Sequence, residues 1–477
     1  MLKNILGLLL VLCASHLTAQ LKLPAVFSDN MVLQRGKPLN IWGQAAAGEK
    51  VTVLFASQKK SVTVDAAGKW MLTLDPLKLS STPADMVVSA ATTITLHNIL
   101  VGDVWLCTGQ SNMEYTLDRK LKRYTAPAKG ADVSIDALAE TKPDAIRYLY
   151  VERVLNKIPE LPTKGWVNGN DTIIRYVSAI GYFFAREIYA ETKVPIGIIS
   201  SSWGGTRIEQ WTPDWAYNNS TVFKDSVTTA NFKIDGMHPG QMYNGMIEPM
   251  IPFGIKGVLW YQGESNCMIE DQGTYLEKYK LFTDAYRRIF KDDNIPFYTV
   301  QIAPFLYSSR KDPKKHSTEL LPQFWEVQAK CMTLPGTEMV VTTDLVDKLT
   351  DIHPSYKWIV GHRLALTALA KTYGKKSLEY SGPVYKKSVV KKDAIQLQFS
   401  HAGKLASSDG DVLTWFTIAG EDGKFVAATA IIKGNKIIVS APGVLRPTQV
   451  RFAWNETAQP NFINAKGLPA QPFRTNL

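Results

Sequence analysis

The sequence predicts an α/β protein with a doubly wound, mainly parallel sheet, flanked by small β-sandwich modules. Between residues 102 and 375, short apolar strands alternate with amphipathic helices, which is typical of parallel sheets with helical crossovers. Before and after that region, short β patterns are separated by turns at the roughly 8–12-residue spacing of small β-sandwiches. No internal repeat interrupts this order.

The first module is predicted at residues 21–101. Residues 51–55 (VTVLF) and 61–64 (SVTV) have strand character, and residues 65–74 read as a turn followed by a strand. The tryptophans of this module fit its core. We therefore expect a packing domain, with sugar binding by the module as an open alternative.

The α/β domain is predicted at residues 102–375. Its strands are expected at 104–107, 194–200, 256–261, 296–302 and 339–343. Its helices are expected at 178–192, 274–290, 323–332 and 355–373, the first with its apolar residues on one side. Residues 112–169 carry several prolines and little helical periodicity, so we expect loops there.

The two ends of the chain give further expectations. Residues 376–477 return to β patterns, such as 394–399 and 436–440, and predict a second β module. Residues 1–20 read as a signal peptide, with a charged start and an apolar core. No later segment has the roughly 18–20 apolar residues of a membrane span. We expect an exported protein, periplasmic or secreted.

The composition argues against some functions. The net charge is +11, but no basic stripe is interleaved with aromatic residues, so nucleic-acid binding is not expected. The cysteines after the signal peptide are Cys107, Cys267 and Cys331, and their odd number leaves at least one free thiol. We expect them to be buried small apolar side chains. No Cys/His spacing suggests zinc.

A candidate nucleophile follows the first strand of the α/β domain. In residues 102–113 (GDVWLCTGQSNM), the apolar run ends at Gly109, and Ser111 stands just past the turn. Ligands of open α/β sheets bind at the carboxyl ends of strands, and a turn there can project a hydroxyl into the crevice. The alternative is a turn serine that caps the next helix.

A glycine-rich motif follows the second strand. In residues 200–211 (SSSWGGTRIEQW), adjacent glycines let the backbone approach a ligand and leave an N–H free to point at it, as an oxyanion hole requires. We favour the N–H of Gly205 for this role, with Gly204 second. Arg207 could reach a ligand carboxylate or hydroxyl groups, or simply pair with Glu209.

A third motif, residues 260–266 (WYQGESN), also stands at a strand end. One of its side-chain amides, that of Gln262 or that of Asn266, could complete an oxyanion hole. Glu264 is expected to be structural and to bond neighbouring loops. A role for Glu264 in catalysis is the alternative.

His353 is the best-placed histidine to act as a base. It lies between a strand and a helix, on the same sheet edge as Ser111, and His238 is the runner-up. The proline after it favours an extended backbone, in which residues two apart point the same way. Asp351 would then share its side and could orient the imidazole. Otherwise His353 merely precedes a helix and Asp351 is a solvated turn residue.

The motif at 109–113, Gly-Gln-Ser-Asn-Met, resembles the nucleophile block of the sialate O-acetylesterase family, carbohydrate esterases with an SGNH-hydrolase-like core. Trp-Gly-Gly-Thr-Arg at 203–207, Gln-Gly-Glu-Ser-Asn at 262–266 and the Asp–His motif at 351–354 match as well. The resemblance covers nearly the whole mature chain. It implies metal-free and cofactor-free hydrolysis of O-acetyl esters on sugars, with O-acetylated sialic acid as the substrate.

The resemblance also implies a role for individual residues. The nucleophile, base and orienting carboxylate would be Ser111, His353 and Asp351. The oxyanion hole would use Ser111, Gly205 and Gln262, and the substrate contacts would be Trp203, Arg207 and Asn266. One spacing departs from the family: SGNH enzymes commonly have Asp-x-x-His, and this chain has Asp-x-His. Asp344 and Asp347 therefore remain alternative orienting carboxylates.

Several rival functions remain at this stage. The chain could deacetylate other polysaccharides such as xylan, bind glycans without catalysis, or act as a serine peptidase. A divalent ion could in principle sit among Asp344, Asp347, Asp351 and His353. That arrangement would take His353 away from its role as a base, so we do not expect a metal.

Overall fold

The computed structural model describes residues 20–140, 142–218, 220–227, 232–311 and 315–475. All but the last residue of the predicted signal peptide lie outside the described residues. Across those ranges, no helix combines the length and the apolar character needed to cross a membrane.

Strands and helices are numbered in chain order. The strands are β1 (Val32–Gln34), β2 (Leu39–Gln44), β3 (Lys50–Phe55), β4 (Gln58–Thr63), β5 (Lys69–Leu74), β6 (Ser80–Ser89), β7 (Thr93–Gly109), β8 (Ile146–Tyr150), β9 (Trp166–Asn168), β10 (Ile196–Ser202), β11 (Gly257–Tyr261), β12 (Phe297–Val300), β13 (Thr337–Val340), β14 (Val384–Lys391), β15 (Ala394–Ser400), β16 (Leu405–Ser407), β17 (Phe416–Ala419), β18 (Val426–Ala427), β19 (Thr429–Lys433), β20 (Lys436–Ser440), β21 (Gln449–Phe452), β22 (Phe462–Asn464) and β23 (Phe473–Arg474). The α-helices are α1 (Ser111–Glu114), α2 (Val133–Ala139), α3 (Ala179–Thr192), α4 (Ile208–Trp211), α5 (Gln241–Met246), α6 (Glu264–Met268), α7 (Tyr275–Phe290), α8 (Leu320–Cys331) and α9 (Lys357–Lys371). Short 3-10 turns lie at Arg119–Lys122, Thr172–Tyr176, Asp214–Tyr217, Glu248–Met250, Asp271–Gly273 and Tyr307–Ser309.

The central sheet has the strand order β13-β12-β11-β7-β10-β8-β9. Neighbouring strands of this sheet pair in parallel, except for the edge strand β9, which is antiparallel to β8. Strands β10, β11 and β12 are buried at every residue, as expected for parallel strands covered on both faces. The predicted fold class, a doubly wound and mainly parallel sheet with β modules, is confirmed.

Helices cover both faces of the sheet. On one face, the ring of Trp105 in β7 lies 5.0 Å from Phe184 of α3 in an edge-to-face contact. On the opposite face, the ring of Trp260 in β11 lies 4.4 Å from Phe282 of α7. Both tryptophans are fully buried, so the sheet is the middle layer of the core. Helix α3 starts after Ser178, whose Oγ accepts the N–H of Gly181.

Strand β7 joins the first module to the central sheet. Its first half pairs with β6 and β1, and its second half pairs with β10 and β11. The predicted boundary between residues 101 and 102 therefore falls inside one strand. Every residue from Ile99 to Gly109 is buried, which explains why the sequence shows no linker there.

The expectation of loops throughout residues 112–169 is wrong at helix α2 and at strands β8 and β9. Strand β8 is a parallel strand of the central sheet, and Arg147 interrupts its apolar pattern. This arginine is fully buried and donates to Asp144 at 2.9 Å and to the side chains of Asn30 and Asn98 at 3.3 Å. A buried charge that has hydrogen-bond partners is tolerated inside the sheet, and the sequence pattern alone does not reveal those partners.

The last part of the chain forms antiparallel sheets, with the orders β14-β15-β20-β19 and β18-β17-β21-β23. Phenylalanines such as Phe399, Phe452 and Phe473 pack between them. Arg474 donates to both carboxylate oxygens of Glu326 in α8, at 2.7 and 2.9 Å, and ties these sheets to the α/β domain.

The three cysteines within the described ranges are free and buried, as predicted.

Candidate active site

A strained turn presents Ser111 at the carboxyl end of β7. Gly109 has a φ of +134°, and a side chain there would place its Cβ 2.2 Å from the carbonyl oxygen of Tyr261. Only glycine therefore fits, and the chain can turn directly from the strand into α1. Ser111 is the first residue of that helix, so its N–H is one of the groups that a helix leaves without an internal partner.

Ser111 and His353 are brought together across 242 residues of sequence, with Oγ of Ser111 2.9 Å from Nε2 of His353. His353 lies in the loop between β13 and α9, at the same edge of the sheet. Its side chain is 26% exposed, so the pair is reachable from solvent. The ring of Tyr124 packs 5.2 Å from the imidazole and stacks on Tyr115 at 4.1 Å, which restricts rotation of the histidine.

Asp351 lies on the other side of the imidazole. Its Oδ1 accepts the backbone N–H of His353 at 2.9 Å and stands 3.6 Å from Nδ1 of the ring. Its Oδ2 accepts the hydroxyl of Thr125 at 2.6 Å. The interaction with His353, opposed by burial and aided by Thr125, holds the pKa of Asp351 well below its usual range. The carboxylate therefore stays ionised next to the histidine.

The two alternative carboxylates are engaged elsewhere. Asp344 accepts two hydrogen bonds from Arg363, at 2.8 and 2.5 Å. Asp347 accepts the hydroxyl of Tyr356 at 2.7 Å and the backbone N–H of Ala128 at 2.8 Å. Geometry thus favours Asp351 among the three. The runner-up histidine, His238, instead lies 3.3 Å from the carbonyl oxygen of Phe232.

The glycine pair after β10 faces the nucleophile. A Cβ on Gly204 would lie 3.1 Å from Cβ of Ser111, so this turn packs directly against the serine. The N–H of Gly204 donates to Oε2 of Glu114 at 2.9 Å and is not free. The N–H groups of Gly205 and Ser111 have no acceptor among the described residues. Two unpaired backbone donors, one on the serine itself and one on the residue after Gly204, are groups of the kind that stabilise an oxyanion.

The structure differs from the expectation for Gln262. This side chain is fully buried, and its Nε2 donates to Oδ1 of Asn266 at 2.7 Å, to Oε1 of Gln110 at 3.2 Å and to the carbonyl of Thr206 at 3.3 Å. Its donors are therefore committed inside the protein. Oε1 of Gln110 also accepts the N–H of Ser265, whereas Nε2 of Gln110 has no acceptor within the described part of the chain. Gln110 is thus the side-chain donor beside Ser111 that the sequence did not suggest.

Two of the three predicted substrate contacts are also internal. Asn266 is fully buried and donates to Glu209 at 3.1 Å and to Asp271 at 2.8 Å. Arg207 is buried and donates to the carbonyl of Asp235 at 2.7 Å, not to Glu209. Buried polar side chains normally form hydrogen bonds with other groups of the protein. The sequence does not distinguish such buried polar side chains from exposed ones.

Trp203, the third predicted contact, is half-buried and leads into the glycine turn. The guanidinium of Arg153 lies 5.6 Å from its ring centroid, within cation–π range. Arg153 also donates through Nε to Oε1 of Glu114 at 2.6 Å, and Lys122 donates to the same oxygen at 2.5 Å. Two cations thus share one carboxylate next to the nucleophile. Nothing in the local sequence around Arg153 signals this placement.

A group of acidic residues near α4 resembles a metal site in composition. Glu209, Asp235 and Asp271 are the only such group of carboxylates, histidines or cysteines within the described ranges. Nζ of Lys278 occupies its centre, bonded to Glu209 at 2.8 Å, to Asp271 at 2.6 Å and to Asp235. The cation that these carboxylates hold is therefore the ammonium of the protein itself.

The chain is similar to several known proteins. A family model described as "Carbohydrate esterase, sialic acid-specific acetylesterase" matches residues 101–370. Sialate O-acetylesterases of Pongo abelii and Homo sapiens are 29% and 28% identical, over 94% of this chain and 91% of each relative. The crystal structure of a carbohydrate acetylesterase from Xanthomonas citri superposes with a TM-score of 0.84 and 33% identity, over 96% of this chain and 99% of that chain.

Proposed function

The chain belongs to the carbohydrate esterase, sialic acid-specific acetylesterase family and is a serine-type carboxylic ester hydrolase; on this premise we propose that it removes O-acetyl groups from sialic acid, with Ser111 as the nucleophile. The observation that carries the proposal is the 2.9 Å contact between Oγ of Ser111 and Nε2 of His353. A hydroxyl and an imidazole at this distance form the activated nucleophile of acyl transfer.

In the first half of the reaction, His353 takes the hydroxyl proton while Oγ of Ser111 attacks the acetyl carbonyl. The imidazolium then protonates the sugar oxygen, which leaves as an alcohol, and the acetyl group stays on Ser111. In the second half, His353 takes a proton from water, the resulting hydroxide attacks the acetyl-enzyme, and acetate departs as Ser111 regains its proton. Asp351 is the carboxylate that orients the imidazole.

The oxyanion of each tetrahedral intermediate is held by the N–H groups of Ser111 and Gly205. Their lack of acceptors among the described residues supports this role. We assign the side-chain contribution to Nε2 of Gln110, since the donors of Gln262 are engaged with Asn266, Gln110 and Thr206.

An acidic sugar suits the charge beside the nucleophile. Arg153 and Lys122 together carry two positive charges, against one negative charge on Glu114. The side chain of Arg153 is 39% exposed and lies over Trp203, so it is open to solvent while its hydrogen bond to Glu114 holds it close to the nucleophile helix. A guanidinium can bind a carboxylate through two parallel hydrogen bonds, and sialic acid carries a carboxylate. Neutral acetylated sugars offer no carboxylate for this guanidinium.

We also propose that the enzyme acts outside the cytoplasm, because residues 1–20 have the pattern of a signal peptide.

The test is release of acetate from O-acetylated sialic acid, measured beside release from acetylated xylan. We expect kcat/KM to favour the acidic sugar, and Ser111→Ala to abolish both activities. Arg153→Gln, which removes the charge and keeps a polar side chain, should raise KM for the acidic sugar only.

A higher kcat/KM on acetylated xylan would assign the enzyme to neutral polysaccharides. Binding of glycans with no acetate release at all would instead identify a non-catalytic protein.

A further inference from the structure

Directly behind Ser111 and His353 lies a buried polar cluster of Asn112, Glu264 and Lys357. Their exposures are 0%, 1% and 0%, although two of them are ionisable. They come from α1, α6 and α9, so the cluster joins elements that are far apart in sequence. The chemistry described above makes no use of it.

Lys357 contributes only donors to the cluster. Its Nζ donates to Oδ1 of Asn112 at 2.6 Å. Among the described residues, this is the only hydrogen bond that the side chain of Lys357 makes. The rings of Tyr115 and Tyr261 lie 4.8 and 5.5 Å from the same nitrogen and provide cation–π contacts. An ammonium cannot accept a hydrogen bond, so only the oxygen of the Asn112 amide can face Lys357 while the lysine is protonated.

Glu264 contributes acceptors on the other side of the same amide. Its Oε1 accepts from Nδ2 of Asn112 at 2.5 Å, and its Oε2 is buried without a hydrogen-bond partner in the structure. A carboxylate only accepts, so only the nitrogen of the amide can face it. The Asn112 amide therefore lies between the donor Lys357 and the acceptor Glu264. The flipped orientation, with its nitrogen towards Lys357 and its oxygen towards Glu264, is excluded.

The fixed amide reaches the loop of the base. Nδ2 of Asn112 also donates to the carbonyl oxygen of Ile352 at 3.0 Å, across 240 residues of sequence. Asn112 follows Ser111, and Ile352 precedes His353. One amide group thus joins the backbone beside the nucleophile to the backbone beside the imidazole.

We propose that Lys357 and Glu264 are positioning residues: they fix the Asn112 amide so that it holds the Ile352 carbonyl and keeps His353 on Ser111. This inference rests on the proposed function, because it requires Ser111 and His353 to be the reacting pair. Apolar side chains in place of two buried charges would stabilise many folds equally well or better. An orienting role explains why Lys357 and Glu264 are charged residues, which packing alone does not explain.

The first test replaces the donor by an apolar side chain of similar length, in Lys357→Met. We expect kcat for a neutral aryl acetate to fall roughly 10- to 100-fold, since small displacements of a catalytic group have effects of this size. KM should stay unchanged, because Lys357 is buried away from the substrate. The matched control is Lys278→Met, which also removes a fully buried lysine, and it should keep its kcat in the folded enzyme.

The second test separates positioning from stability with the double variant Lys357→Met/Glu264→Gln. It removes both charges, so no carboxylate is left unpaired, and it should be more stable than Lys357→Met. Its kcat should nevertheless stay low, because a glutamine both donates and accepts and no longer fixes the Asn112 amide. The double variant also carries the test if Lys357→Met fails to fold.

A kcat close to wild type in Lys357→Met, an equal loss in Lys278→Met, or a kcat that recovers together with stability in the double variant would each overturn the positioning role. Ser111→Ala is assayed in parallel and should be inactive. If Ser111→Ala keeps its activity, the proposed nucleophile is wrong, and that result is distinct from any result on Lys357.

Discussion

Two lysines are completely buried at the carboxyl edge of the sheet, and their surroundings differ. Lys278 is bonded to the carboxylates of Glu209, Asp271 and Asp235. Lys357 has a single amide oxygen, that of Asn112, and two aromatic faces. The first lysine is saturated with opposite charge, and the second is not.

The difference appears in their pKa values. Burial lowers the pKa of both lysines, but at Lys278 the charges of Glu209 and Asp271 outweigh it, so its pKa is raised. At Lys357 burial dominates and lowers the pKa to about 7, although Glu264 and Asp351 act in the opposite direction. A saturated ion cluster holds elements together. An under-compensated charge next to a reacting pair is more typical of functional sites, where such pKa shifts collect.

The largest effect expected on activity is at the reacting pair itself. His353→Ala removes the base 2.9 Å from Ser111 and should lower kcat by roughly 10³-fold or more, with the fold retained. Acetate release and the thermal midpoint of unfolding are measured together. If His353→Ala hydrolyses acetyl esters near the wild-type rate, Ser111 and His353 are not a catalytic pair. The Lys357 cluster would then have no functional role to distinguish it from the Lys278 cluster.

Lys278→Met should have the largest effect on stability. It leaves three carboxylates facing one another, and loss of one partner of a buried ion pair typically costs about 3–5 kcal/mol. Denaturant unfolding would measure this cost. A change below about 1 kcal/mol would show that this cluster does not stabilise the fold and would break the comparison.

The two clusters should also differ in their dependence on pH. A lysine whose pKa is lowered by folding destabilises the protein while it is charged, and this penalty is relieved as pH rises from the folded towards the unfolded value. From pH 7 to 10, the free energy of unfolding of the wild type relative to Lys357→Met should therefore rise, by up to about 1.4 kcal/mol per pH unit.

Folding raises the pKa of Lys278. The contribution of this lysine to the free energy of unfolding is therefore fully present below the pKa that it has in the unfolded chain, and it is lost only at higher pH. The difference between the wild type and Lys278→Met should stay flat from pH 7 to 10. Parallel slopes for the two variants would contradict the assigned environments.

The smallest expected effect on activity concerns the orienting carboxylate. Asp351 stands 3.6 Å from the imidazole nitrogen, longer than an ordinary hydrogen bond, and also holds the backbone N–H of His353. Asp351→Asn keeps an oxygen for that N–H, so its loss in kcat should be at least about tenfold smaller than that of His353→Ala. Equal losses in the two variants would show that the carboxylate is indispensable.

The sequence predicts the central sheet, and it predicts Ser111 and His353 at its edge, because the patterns that indicate them are local. Apolar runs, a glycine turn and a proline after His353 are readable within a few residues, and parallel topology brings strand ends together. Strand β8 was missed because buried Arg147 breaks its apolar pattern. The roles of Ser111, His353 and Asp351 stay predictions until variants are assayed.

What the sequence could not separate was exposed from internal polar side chains. Gln262 and Asn266 have the right chemistry for a site, but their hydrogen bonds are used inside the protein. Conversely, Arg153 and Lys357 act through partners 39 and 245 positions away in the chain. Such contacts depend on tertiary packing, which no local pattern encodes.

The most direct test of the central claim, that Ser111 is a nucleophile activated by His353, is covalent labelling with a serine-directed organophosphate. Peptide mass spectrometry should find one label, on Ser111, with parallel loss of acetate release. Labelling should be much slower in His353→Ala, and prior treatment with EDTA should change neither labelling nor activity. A label on another residue, or an activity that EDTA removes and a divalent metal restores, would contradict the claim.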